Sequence, residues 1–162
     1  MSLLPIVIQS AQPDHSAVVP LLAALDAYLY QQYPVDEFPQ DVNHILSLAE
    51  LQRPTVTFLA AWEGDEAVGC GAMRHVADEA GGYAEIKRMF VLPQARGQRV
   101  GEKLLTALEA HGRTLGLTQV KLETGTRQPE AMRLYARCGY QPCALFGDYV
   151  PNPVSVFMEK RL

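Results

Sequence analysis

Apolar positions along the chain follow two periods, and the changes between them mark out its elements. Ile6 to Ser10 reads as a first strand. After Asp14 and Ser16, the residues Val18, Leu21, Leu22, Leu25, Tyr28 and Leu29 recur at helical spacing. Pro20 confines the start of that helix, because proline lacks an N–H and is tolerated only in the first turn. Pro34 and Pro39 make the segment that begins at Tyr33 a loop. Asp41 then suits the N-cap of a short helix with Val42, Ile45, Leu46 and Ala49 on one face. Thr55 to Trp62 is rich in strand formers, and Glu63–Gly64–Asp65 turns it into a second strand, Ala67 to Val76. Gly81–Gly82 leads into a third strand, Tyr83 to Leu92. The strongest helical stripe follows, with Leu104, Leu105, Leu108 and Leu115 joined by Gly101 and Gly112. Gln119 to Thr124 reads as a strand, Glu130 to Arg137 as a helix, and the tail as two short strands near Tyr140–Phe146 and Val154–Met158. This order predicts an α/β fold: a mixed sheet with helices on both faces and parallel strands around the central helix.

Composition narrows the picture. With 162 residues and 48 % hydrophobic content, the chain suits one domain spanning 1–162. A net charge of -4 gives no support to nucleic-acid binding, which calls for a clustered basic excess. The longest apolar run, Val18 to Leu25, contains a proline and is far too short to cross a membrane. Met1 to Ser10 lacks the basic start and apolar length of a signal peptide. Cys70, Cys138 and Cys143 are an odd number without CxxC spacing, and they read as small buried hydrophobes in a reducing compartment. A cytoplasmic location is expected. The four histidines share no ligand spacing, so no metal site is expected either.

The chemistry concentrates between Ala84 and Tyr140. A strand ends near Val91, a short polar loop follows, and glycines mark the start of the Leu-rich helix. A helix N-terminus offers free N–H groups and a favourable dipole to a phosphate, and small residues let its oxygens come close. The alternative is structural: Gly97 turns the chain and Gly101 lets the helix pack on the sheet. No Gly-Lys-Ser/Thr follows, and the spacing is not GxGxxG, so this is neither a Walker loop nor a dinucleotide fingerprint.

The run Arg96–Gly97–Gln98–Arg99–Val100–Gly101 resembles the pyrophosphate-binding signature of GNAT N-acetyltransferases, Gln/Arg-x-x-Gly-x-Gly/Ala. Arg99 stands where glycine is usual. Downstream, Gln128–Pro129–Glu130–Ala131–Met132–Arg133–Leu134–Tyr135, followed by Gly139–Tyr140, resembles the family's second motif, Asn-x-x-Ala-x-x-Leu-Tyr…Gly-Phe/Tyr, with Gln128 in place of asparagine. The resemblance covers residues 55 to 145 well and extends to small bacterial single-domain members. It implies a central sheet of six to seven strands flanked by helices, and acetyl-CoA as cosubstrate. It further implies that Arg96, Gly97, Gln98, Arg99, Val100, Gly101, Glu102 and Gln128 hold the cofactor, with Met89, Phe90 and Val91 along its pantetheine arm.

An amine attacking a thioester must lose a proton, the carbonyl oxygen needs a donor, and the departing thiolate needs a proton. An alkyl amine titrates near pH 10.4 and is mostly protonated at neutral pH, so a positioned base is typically worth about 10²–10⁴ in rate. By resemblance, Glu85 is the candidate base, six residues before Val91, whose N–H is the oxyanion donor. The alternative for Glu85 is an ion pair with Lys87, and Glu123 is the next candidate base. Tyr135 is the implied general acid; read locally, it belongs to the apolar stripe of Ala131, Leu134 and Cys138. The loop with Tyr33, Asp36, Glu37 and Phe38 offers acid and aromatic groups to a small-molecule amine. Acetylation of a protein amine and a non-catalytic acyl-CoA-binding module are the competing readings. The family's habit also suggests a homodimer.

Overall fold

The computed structural model describes residues 4–34, 37 and 45–162. Its elements run β1 (Ile6–Ser10), α1 (Val19–Gln32), α2 (Leu48–Leu51), β2 (Val56–Glu63), β3 (Glu66–Val76), β4 (Tyr83–Val91), α3 (Val100–Thr114), β5 (Gln119–Gly125), α4 (Pro129–Arg137), β6 (Gln141–Pro142) and β7 (Ser155–Arg161). A 3₁₀ turn, Pro93–Ala95, joins β4 to the loop before α3. One seven-stranded sheet takes the order β1-β2-β3-β4-β5-β7-β6. Every neighbouring pair is antiparallel except β4 and β5, which run parallel across the α3 connection.

Helices cover both faces of the sheet. On one, Val18, Leu21, Leu22 and Leu25 of the α1 segment meet Phe58, Ala60, Cys70, Ala72 and Phe90. On the other, Leu104, Leu105 and Leu108 of α3 meet Met73, Ala84, Ile86, Val120 and Leu122. Pro20 falls in the first turn of α1, where its missing N–H costs nothing. No helix among the described residues is long and apolar enough to cross a membrane.

Two elements differ from the sequence expectation. Asp41 and Val42 lie outside the described residues, and the short helix starts later, capped by Ser47. The Ser47 hydroxyl accepts from the Glu50 N–H while the Glu50 carboxylate accepts from the Ser47 N–H, a reciprocal capping box. The expected strand over Tyr140–Phe146 shrinks to Gln141–Pro142. Phe146 instead leaves the sheet to pack with Tyr83 and Tyr149 in a small aromatic cluster.

The sheet is irregular at its centre. On β3, Cys70 faces Phe90 and Ala72 faces Lys87, so Gly71 opposes both Arg88 and Met89 in a bulge. Arg88 adopts the left-handed conformation at φ 57°. The extra residue inverts the alternation: Ile86 before it and Met89 after it both face α3. Beyond the bulge β4 and β5 part company, their pairing being confined to Ala84↔Val120, Glu85↔Lys121 and Ile86↔Leu122.

Leu104 is fully buried beneath this junction. Leu104→Ala is expected to cost about 2–5 kcal/mol, because the removed methyl groups leave a cavity as well as lost burial; chemical denaturation measures it.

Candidate active site

The end of β4, where β5 has parted from it, lines a cleft of about 450 Å³ together with the starts of α3 and α4. Met89, Phe90, Val91, Arg96, Gly97, Arg99, Val100, Gly101, Glu102, Gln128 and Tyr135 all line it. Gln98 is half-buried beside the cleft but does not line it. Arg99 is the N-cap of α3, with φ 59°, and no side chain caps the helix. The first N–H groups of α3 lack intrahelical partners, and Val100, Gly101 and Glu102, which carry them, border the cleft. The left-handed geometry explains why glycine suits that position, since an L-residue carries a cost there. Gly97 also has positive φ, and an added Cβ would meet nothing within 4 Å. At Gly101 an added Cβ would come within 2.8 Å of Leu134 Cδ2, so the glycine is what lets α3 approach α4.

Four guanidinium groups, those of Arg96, Arg99, Arg133 and Arg137, border the same cleft. Arg96 pairs with Glu130 at 3.1 Å and Arg137 with Glu102 at 2.7 Å. Arg99 and Arg133 make no salt bridge among the described residues. Positive charge, open helix N–H groups and a strand edge are the chemistry that holds a pyrophosphate and an amide-bearing arm.

The orientation of Val91 follows from its neighbours. The Leu92 N–H donates to the Val68 carbonyl on β3 at 2.8 Å. Alternation along an extended strand turns the polar groups of Val91 to the opposite edge, where β5 has separated. Arg96 Nε donates to the Val91 carbonyl from that side at 3.3 Å.

A second, smaller pocket of about 100 Å³ lies on the other side of this junction and shares Leu25, Met89, Gln128 and Tyr135 with the first. Lys87, Arg88, Glu123 and Ser155 supply its polar lining. Ser155 Oγ donates to Glu123 at 2.8 Å, and Asn152 Nδ2 donates to Ser155 Oγ at 2.7 Å, which fixes the carboxylate. Burial raises the Glu123 pKa above the ordinary carboxylate range, against the smaller opposing pull of Ser155 and Lys87. Tyr135 is buried between the two pockets, edge-on to Tyr140 at 5.8 Å. Desolvation pushes its hydroxyl up, so it stays protonated at neutral pH.

Glu85 sits elsewhere. It is fully buried and lines neither pocket. Its carboxylate accepts from Arg74 Nη2 at 2.7 Å and from the Tyr149 hydroxyl at 2.5 Å, and Lys87 Nζ lies 3.4 Å away. The ion pair with Lys87 is present, and the carboxylate expected to act as base is enclosed by Arg74, Tyr149 and Lys87 and opens to neither pocket. On β4 the charged residues lining the second pocket are Lys87 and Arg88. From the acceptor loop, Tyr33 lines the smaller pocket and accepts from the Arg127 N–H at 3.1 Å, while Glu37 pairs with Arg127 at 3.3 Å. Asp36 and Phe38 lie outside the described residues. Arg88, paired with Asp26 at 2.7 Å, and the Asn152–Ser155 support of Glu123 were not foreseen. A bulged arginine has no local sequence signal, whereas Asn-x-x-Ser in a loop before a strand is a hydrogen-bonding turn that could have been read.

Residues 19–140 match the Acetyltransferase (GNAT) family. The chain belongs to that family. It is 42 % identical over 157 residues to the IAA acetyltransferase of Azospirillum brasilense, covering 97 % of this chain and 98 % of that one. A Klebsiella pneumoniae structure carrying the designation acyl-CoA N-acyltransferase superposes with a TM-score of 0.76 at 40 % identity, covering 97 % of each chain. The PaiA N-acetyltransferase of Thermoplasma acidophilum, solved in complex with coenzyme A, shares the fold at a TM-score of 0.69, with 15 % identity over 98 % of this chain and 100 % of that one. This GNAT acetyltransferase thus keeps the family's sheet while placing arginine at a left-handed helix start.

That placement has a measurable consequence. Arg99→Gly is expected to leave stability equal or improved, whereas Arg99→Ile, β-branched at positive φ, is expected to lose at least about 1–2 kcal/mol. Urea unfolding of the two variants measures the difference.

Proposed function

We propose that this GNAT acetyltransferase moves the acetyl group of acetyl-CoA to a primary amine of a small molecule, by direct attack within a ternary complex. The observation that carries this reading is the pair of pockets meeting at Met89, Gln128 and Tyr135, one bordered by four arginines, the other small and holding a carboxylate. Acetyl-CoA supplies an activated acetyl thioester. The open N–H groups of α3 and the guanidinium groups of Arg99 and Arg133 hold its phosphates, and the free edge of β4 from Met89 to Val91 aligns its arm.

Each proton has a holder. Glu123 Oε accepts a proton from the amine nitrogen, directly or through water; burial raises its pKa, which makes it the stronger proton acceptor. Glu123 takes this role in place of Glu85 because it lines the pocket. The Val91 N–H donates to the carbonyl oxygen as negative charge builds there, a kind of interaction worth about 3–4 kcal/mol. Tyr135 Oη keeps its proton until the thiolate departs. A route through a covalent cysteine is disfavoured: Cys70 is buried, its Sγ donates to the Arg88 carbonyl at 3.2 Å, and desolvation pushes its thiol up to about 12.

Steady-state acetylation of an amine panel, followed by thiol release, tests the assignment. Glu123→Gln is expected to lower kcat by about 10²–10⁴. In the unaltered enzyme the rate should rise with pH through a limb above the ordinary glutamate range, because the base works only when deprotonated and its pKa is raised; the variant should lose that limb. An unchanged rate and profile in Glu123→Gln would remove the carboxylate from the mechanism. Tyr135→Phe is expected to lower kcat at least tenfold while acetyl-CoA still binds, measured by turnover beside a binding titration.

A further inference from the structure

One hydroxyl joins two parts of the site that lie far apart in the chain. Tyr33 is the C-cap of α1, is 3 % exposed, and lines the small pocket but not the larger cleft. Its hydroxyl accepts from the Arg127 N–H at 3.1 Å and from Gln128 Nε2 at 3.4 Å. Both donors belong to the turn between β5 and α4, where the Gln128 N–H donates to the Gly125 carbonyl at 3.0 Å. Gly125 leaves room for this meeting: an added Cβ would come within 1.8 Å of the Tyr33 hydroxyl and 3.1 Å of Gln128 Nε2. On the outer side, Arg127 Nη1 donates to the Gln32 carbonyl at 3.0 Å and pairs with Glu37. The end of α1 is thereby clasped to the turn that carries Gln128.

Gln128 is the point where this clasp bears on the larger cleft, because it borders both pockets. It is the N-cap of α4, yet its side chain makes no capping bond there. The amide reaches back to Tyr33 instead. Glutamine has one more rotatable bond than the asparagine usual at this place in the family's second motif, and so more freedom to lose when a ligand orders it. A hydrogen bond that orders the side chain beforehand reduces that loss.

We propose that Tyr33 is a positioning residue for the coenzyme: its hydroxyl holds the Gln128 amide at the wall of the larger cleft, so that a residue of the small pocket sets the affinity for acetyl-CoA next door. This rests on the reading of the larger cleft as the acetyl-CoA site.

A double-mutant cycle on acetyl-CoA binding tests it, without acceptor or turnover. Calorimetry gives Kd for the unaltered protein, Tyr33→Phe, Gln128→Ala and the double variant. Tyr33→Phe is expected to raise Kd at least about threefold, the scale of one neutral hydrogen bond, although Tyr33 does not border the cleft. In the Gln128→Ala background the same change should shift Kd by less than about 1.5-fold, because the group through which the hydroxyl acts is gone. Gly125→Ala puts a methyl where the hydroxyl lies and keeps both side chains, so it should raise Kd as Tyr33→Phe does, and it serves in the cycle if that variant misfolds. A hydroxyl with a merely structural role would lower stability in urea and leave Kd unchanged, which would overturn the proposal. Equal weakening in both backgrounds would overturn it too, since the hydroxyl would then act by a route other than Gln128. If the unaltered protein binds no acetyl-CoA, the reading of the cleft fails and the inference falls with it; the two preceding results overturn the inference alone.

Discussion

Everything in the site depends on where the parallel pairing of β4 and β5 stops. Three register pairs, Ala84 to Ile86 against Val120 to Leu122, hold the strands together above the α3 core. Just past them, Arg88 takes left-handed backbone and adds a residue to β4 opposite Gly71. The bulge turns β4 away and inverts its alternation, and β5 ends at Gly125, where an added Cβ would overlap the Tyr33 hydroxyl. A sheet that would otherwise close its hydrogen bonds is thereby left with an open inner edge. Open backbone groups inside a fold call for a partner.

Electrostatics divides the labour between two glutamates that share a face of the sheet. Glu85, on the central strand, is enclosed by Arg74, Tyr149 and Lys87 and fixes the loop that carries Tyr149 to the sheet. Glu123, on the adjacent strand nearer the opening, keeps one side toward the pocket and is oriented by Ser155 and Asn152. Full burial closes the first off from the pocket. Partial burial and an oriented carboxylate are what the role proposed for the second requires.

The regular part of the fold was legible because its periods are clean: the β2–β3–β4 meander, the α3 stripe and α4 all lie within a residue or two of where the apolar pattern puts them. The cleft was legible too, through two motifs that supply most of its lining, although Gln98, Pro129, Met132, Gly139 and Tyr140 stay out of it. What sequence did not carry was decided by distant contacts. Glu85 reads from its strand either as a base or as the partner of Lys87, and nothing local announces that Tyr149, sixty-four residues along the chain, closes over it. The bulge at Arg88 has no glycine to announce it, and the strand expected at Tyr140–Phe146 is lost because Phe146 packs against Tyr83 in preference to continuing the ladder. The Ser47–Glu50 capping box, by contrast, was readable, as serine three residues before glutamate.

The central claim is that the parted strand edge and the uncapped start of α3 form a site for a CoA thioester. Calorimetric titration with acetyl-CoA, with ATP and NAD as controls, tests it most directly. The account predicts micromolar binding of acetyl-CoA with neither control binding comparably. No binding of acetyl-CoA, or equal binding of all three, would contradict it.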